Sequence, residues 1–134
     1  MTDAVQVAGW VWQGLVVWDK THGCRPQRGR FRSQSEYVVW GSRGPIDTAA
    51  HPVVLPGVMP VHPKLGGKHH QVGKPEALME QLVAIVPPAG TVLDPSMGSA
   101  TTGVAAIRQG RGFAGIELTK DYFHVAEKRL AGLC

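Results

Sequence analysis

The most specific chemistry lies in Asp94-Pro95-Ser96-Met97-Gly98-Ser99-Ala100-Thr101-Thr102-Gly103 and in an acid, Glu117, 23 residues beyond Asp94. A strand entering this run and a helix leaving it would put small side chains where backbone N–H groups meet a ligand. The positive end of that helix attracts an anion, such as the carboxylate of an amino acid. A carboxylate at the end of the next parallel strand can accept two hydrogen bonds from ribose hydroxyls. An amino-acid-bearing nucleotide fits both demands together. A structural glycine turn and a solvated strand-end acid remain the alternatives. A phosphate-cradling loop is excluded, because no Gly-Lys-Ser/Thr follows at the required offset.

Other residues invite lesser readings. Arg25-Pro-Gln-Arg28-Gly-Arg30-Phe-Arg32 sets four guanidiniums within eight residues, suited to phosphate contacts, with a solvated basic loop as the alternative. Lys64, Lys68, His69 and His70 could extend such a surface. Adjacent histidines point apart and have no acidic or cysteine partner at ligand spacing, so a metal site is not expected. Trp10, Trp12, Trp18 and Trp40 read as strand packing and not as base-stacking platforms.

Positioning these residues requires a definite run of elements. A helical stub over 2–9 precedes a strand from Trp10 to Trp18. In it Trp12, Gly14, Val16 and Trp18 face one way and Val11, Leu15 and Val17 the other, which predicts a strand covered on both faces. A basic loop over 20–35, a strand over 36–40 and a turn at 41–44 follow. Residues 45–73 hold many of the prolines and glycines and show no period, so they read as irregular connection. Pro75 suits the first turn of a helix whose stripe is Leu78, Met79, Leu82, Val83, Ile85 and Val86, stopped by Pro87-Pro88. Then come a strand over 91–93, the glycine loop, a helix to about Gln109, a strand over 113–118 and a helix over 120–130 capped by Thr119. Two parallel strands joined by a crossover helix are the unit of an α/β fold.

The bulk numbers agree with this. At 134 residues, 43% hydrophobic and 18% charged, the chain suits one globular domain, with 17 Gly and 10 Pro implying many turns. A net charge of +4 favours a polyanionic partner only weakly. Cys24 and Cys134 form no CxxC motif, and no apolar run or leader-like start is present, so a reducing cytoplasm is the expected location.

Asp94 to Gly103 resembles the Asp-Pro-Phe-x-Gly-Ser-Gly-Thr-Thr-Gly motif of the DNA adenine-N6 and cytosine-N4 methyltransferases. Gly112-Phe-Ala-Gly-Ile-Glu117 and Asp121-Tyr-Phe look like its continuation. Lys74-Pro75, after His70-Gln-Val-Gly73, resembles the His-Pro-Thr-Gln-Lys-Pro segment of the circularly permuted members, and Trp18-Asp-Lys20 and Glu36-Tyr-Val-Val-Trp40 are similar to their earlier strands.

The resemblance covers nearly the whole chain and implies an incomplete Rossmann-like, S-adenosylmethionine-dependent methyltransferase fold with a mostly parallel sheet. It implies transfer of a methyl group to an exocyclic amino group of adenine or cytosine in DNA, as in restriction-modification. It also implies one domain over 1–134: a strand pair with a basic loop over 1–44, a DNA-facing connection over 45–73 and a cofactor-binding half over 74–134. On this likeness Asp94, Pro95, Ser96, Gly98, Ser99, Ala100, Thr101 and Thr102 hold the methionine part of S-adenosylmethionine, Glu117 holds its ribose, and Lys74 and Pro75 flank the site. From their charge and clustering, Arg25, Arg28, Arg30, Arg32, Lys64, Lys68, His69 and His70 are expected to face DNA.

Three departures matter. Ser96 stands where an aromatic is usual and Ala100 where a glycine is usual, and both predict weaker cofactor binding. The Asp/Asn/Ser-Pro-Pro-aromatic tetrapeptide that holds the target base does not occur; Pro87-Pro88 lies between Val86 and Ala89. In the permuted arrangement that segment precedes Trp10, together with two central strands. The chain is therefore expected to have an incomplete sheet, a direct pairing across the gap, or completion by another chain. The alternative function is a non-catalytic module that binds DNA or a partner subunit.

Overall fold

A computed structural model describes residues 2–49, 52–63 and 73–133. The chain divides into two compact units, Met1–His62 and Pro63–Cys134. No described helix is long and apolar enough to cross a membrane.

In the first unit, α1 (Thr2–Val7) leads into β1 (Val11–Asp19), which pairs antiparallel with β2 (Ser35–Ser42). On its other side β1 pairs in parallel with β3 (Val58–Pro60), giving the order β2-β1-β3. Trp18, Met59 and Val61 form the buried centre, and the Trp18 indole N–H donates to the Val61 carbonyl at 2.8 Å.

Several expectations for this unit need correction. The register shifts between Trp12 and Gly14, so Gln13 is a bulge and Trp12 loses phase with Gly14, Val16 and Trp18. The Gln13 side-chain amide instead donates to the Ser42 hydroxyl at 2.9 Å. The strand is central but not covered on both faces, for Val11 and Leu15 are each about half exposed. Trp10, expected to pack, is likewise half exposed. The connection expected to be irregular contains β3. Pro60 is tolerated there because β3 is an edge strand, where the missing N–H breaks no ladder.

In the second unit, α2 (Glu76–Val83), β4 (Thr91–Asp94), α3 (Thr101–Arg108), β5 (Gly112–Gly115) and α4 (Lys120–Ala131) follow in order. Strands β4 and β5 are parallel and in register from Thr91↔Gly112 to Asp94↔Gly115, with α3 as the crossover. Val83, Ala105 and Ala106 pack with Met79, Val92 and Phe113. Met97, Ala100 and Ala126 pack with Phe113 and Leu130. Gly103 lets the Phe113 ring lie on α3: a Cβ there would stand 2.6 Å from the ring.

The outline matches the sequence reading, with α2, α3 and β5 shorter than expected and β4 and α4 each one residue longer. Pro75 precedes α2 and accepts from the Leu78 and Met79 N–H groups through its carbonyl. Ile85 lies beyond the helix and is exposed, because Val86 before Pro87 disfavours further helix. Strand β5 stops at Gly115, so Glu117 lies two residues past it and not within it. After the Ile116 N–H bonds the Asp94 carbonyl, the Ile116 carbonyl accepts the Met97 N–H and turns the chain toward the glycine loop. The fold is α/β with mixed pairing in two sheets, one of them wholly parallel. Leu93 of β4 and Ile116 and Leu118 after β5 are exposed.

Candidate functional site

Strand β4 ends at Asp94, whose Oδ1 accepts the Ser96 N–H at 3.1 Å and tightens the turn out of the strand. Gly98 then takes φ 53°, a left-handed value that suits glycine, and Ala100 takes φ 58° and ψ 40° directly before α3. No acid occupies the first turn of α3, so its positive end is uncompensated by the helix itself.

A cavity of about 290 Å³ opens over this end, near the lower limit of roughly 300 Å³ for small-molecule sites. Gly73, Lys74, Met79, Asp94, Ser96, Met97, Gly98, Ser99, Thr101 and Thr102 line it. It thus brings together Lys74, Asp94, Ser96, Gly98, Ser99, Thr101 and Thr102 of the expected set.

The remaining expected residues sit differently. Pro95 is exposed outside the cavity lining and Pro75 is buried behind it. Ala100 is fully buried with Met97 and Ala126. Its methyl group packs in the core and does not line the cavity. Glu117 does not line the cavity either, but its Oε2 accepts the Gly98 N–H at 2.9 Å and its Oε1 accepts the Thr119 N–H at 2.7 Å. The Thr119 N–H foremost, and then Gly98, hold the Glu117 carboxyl below the usual value of 4.5. Thr119 does precede α4, but its side chain makes no capping bond.

Gly73, Met79 and Met97 line the cavity although their residue types gave no reason to expect it. Met97 lies inside the motif and is legible there, while Met79 belongs to the apolar stripe of α2. Behind the loop, Arg129 of α4 donates to the carbonyl and, at 3.0 Å, to the hydroxyl of Ser99, and to Glu76 Oε1 at 2.7 Å. Arg108 bonds the other Glu76 oxygen at 2.8 Å. Burial pushes the Glu76 carboxyl up, but these guanidiniums outweigh it and hold the group below 4.5.

In the first unit Arg25, Arg28, Arg30 and Arg32 are all exposed on the loop between β1 and β2. Residues 20–35 contain no acid to neutralise them. Arg30 reaches Gln27 at 3.4 Å and Arg32 approaches His22 at 3.5 Å, leaving the cluster open to solvent. Lys64, Lys68, His69 and His70 lie outside the described residues.

Residues 55–128 match the family model described as DNA methylase. The chain is 31% identical over 127 residues to YubD of Escherichia coli (strain K12), which carries a methylase name, covering 94% of this chain and 54% of that protein. It is 47% identical over 68 residues to the type II methyltransferase M2.DpnII of Streptococcus pneumoniae, covering 50% of this chain and 25% of the relative. Among solved structures, M1.HpyAVI in complex with SAM superposes with a TM-score of 0.76 at 31% identity, over 96% of this chain and 66% of that one. The chain thus spans from a quarter to about half the length of these two curated relatives.

Proposed function

Because this chain belongs to the DNA methylase family, we propose that its second unit binds S-adenosylmethionine for methyl transfer to an exocyclic amino group of adenine or cytosine in DNA. The observation that carries the reading is the cavity at the α3 N-terminus, with Ser99, Thr101 and Thr102 around a helix end that has no acid in its own first turn. That surface suits the carboxylate of an amino acid.

Asp94 and the loop from Pro95 to Thr102 hold the methionine portion, with Ala100 acting through the backbone turn and not through its methyl. Glu117 holds the ribose from its position beside Gly98, and Lys74 bounds the other wall with Pro75 flanking it. The residues present therefore fit the group. When bound, S-adenosylmethionine supplies the electrophilic methyl, and this chain's residues bind and orient the donor. These 134 residues include no Asp/Asn/Ser-Pro-Pro-aromatic segment to hold a flipped base, and the role assigned to them is donor binding.

Arg25, Arg28, Arg30 and Arg32 contact DNA phosphates, and Lys64, Lys68, His69 and His70 supply further contacts to DNA; the protein works in the cytoplasm. The solvent-open arginine cluster also supports a second reading, a non-catalytic module that binds DNA or a partner subunit. Calorimetry with S-adenosylmethionine and with duplex DNA at two salt concentrations separates them. Cofactor binding supports the first reading; salt-sensitive DNA binding with no heat at millimolar cofactor supports the second.

A further inference from the structure

We propose that Arg129 is a positioning residue for the amino-acid end of the ligand, tying the two walls of the cavity together through one guanidinium. The inference rests on the reading that the cavity holds S-adenosylmethionine.

The two walls come from distant parts of the chain. One is the loop carrying Ser99; the other is the segment carrying Lys74 and Met79, with Glu76 between them. Arg129, near the end of α4, reaches both: Nη1 donates to the Ser99 carbonyl and hydroxyl, and Nη2 donates to Glu76 Oε1 at 2.7 Å. The Ser99 residue is 5% exposed and the Arg129 side chain 23% exposed, so these bonds are partly shielded from water. Partial burial and a planar fork let one guanidinium fix two partners in set directions from two nitrogens, where an ammonium offers rotatable donors on a single one.

The chemical consequence falls on Ser99. A guanidinium only donates, so the Ser99 hydroxyl must accept from it, and the hydroxyl proton is left free to donate. Ser99 lines the cavity beside the α3 N-terminus, where the positive helix end favours an anion and a hydroxyl with its proton to donate suits an acceptor such as the ligand carboxylate. Arg108 serves as an internal contrast, since it bonds Glu76 and Glu80 but makes no bond to Ser99.

The test compares two ligands by calorimetry on the 134-residue chain: S-adenosylmethionine, and 5′-methylthioadenosine, which keeps the nucleoside and lacks the amino acid. Arg129→Met should weaken S-adenosylmethionine by about tenfold or more and methylthioadenosine by less than about threefold. Arg108→Met should show no such split. Should Arg129→Met not fold by thermal unfolding, Arg129→Lys, which keeps the charge but replaces the planar fork by a single nitrogen, should show the same split in smaller measure. Equal losses for both ligands, or none for either, would overturn the positioning role. Failure of the unaltered chain to bind S-adenosylmethionine would instead overturn the functional reading on which the role rests.

Discussion

The Glu117 carboxylate accepts the Gly98 N–H at 2.9 Å, so the acid that follows β5 holds the glycine at the mouth of the α3 cavity. Its other oxygen accepts the Thr119 N–H, which fixes the carboxylate plane. Because both bonds favour the ionised form, the folded-state pKa of Glu117 is depressed, and so is that of Glu76 through its arginines. The stability they contribute is present above the ordinary value of 4.5 and is lost as pH falls through the lower folded-state values. Thermal unfolding from pH ~7 down to pH ~3 should therefore show a flatter acid limb for Glu117→Ala and for Glu76→Gln than for the native chain. Acid limbs parallel to the native one would contradict the bonding described.

Ala100→Gly tests where the methyl group points. The left-handed backbone at φ 58° costs an alanine about 1 kcal/mol or more, while its buried methyl contributes about the same against Met97 and Ala126. Stability should change by less than about 1 kcal/mol, and cofactor affinity by less than about a factor of two. A marked gain in affinity would mean that the methyl obstructs the ligand.

Gly103→Ala should be destabilising although alanine is the better helix former. The new Cβ would stand 2.6 Å from the Phe113 ring, which is held between two parts of the core. Overpacking of this kind costs about 1–3 kcal/mol and outweighs the propensity gain of about 1 kcal/mol. Denaturant unfolding measures the difference, and adding Phe113→Leu should recover part of it.

The basic loop predicts a salt dependence. Replacing Arg28 and Arg30 by alanine should lower the slope of log affinity against log salt by about 0.9 for each phosphate that is no longer neutralised, on any DNA sequence. Slopes identical to the native chain's would remove this loop from the DNA surface.

The loop from Asp94 to Thr102 and its flanking elements are legible in the sequence because their signals are local. A strand, small residues and a helix follow one another, and Glu117 comes at a spacing set by a single crossover. What lies hidden depends on distant partners or on backbone direction. Strand β3 is three residues long, contains Pro60, and is recognised only by its pairing with β1, about 40 residues earlier. The bulge at Gln13 breaks an alternation that the residue types alone suggest. Arg129 reads as an ordinary basic residue near the end of a helix until Ser99 and Glu76, 30 and 53 positions away, are brought beside it. The placement of the Ala100 methyl in the core goes with a left-handed turn that composition does not reveal.

The most direct test of cofactor binding at the α3 cavity is titration of S-adenosylmethionine into the 134-residue chain, followed by heat and by the amide resonance of Gly98. Saturable binding to a single site below millimolar concentration is predicted, with the Gly98 resonance among those that move. Absence of binding at millimolar cofactor, or binding that leaves Gly98 and Ser99 unperturbed, would contradict it.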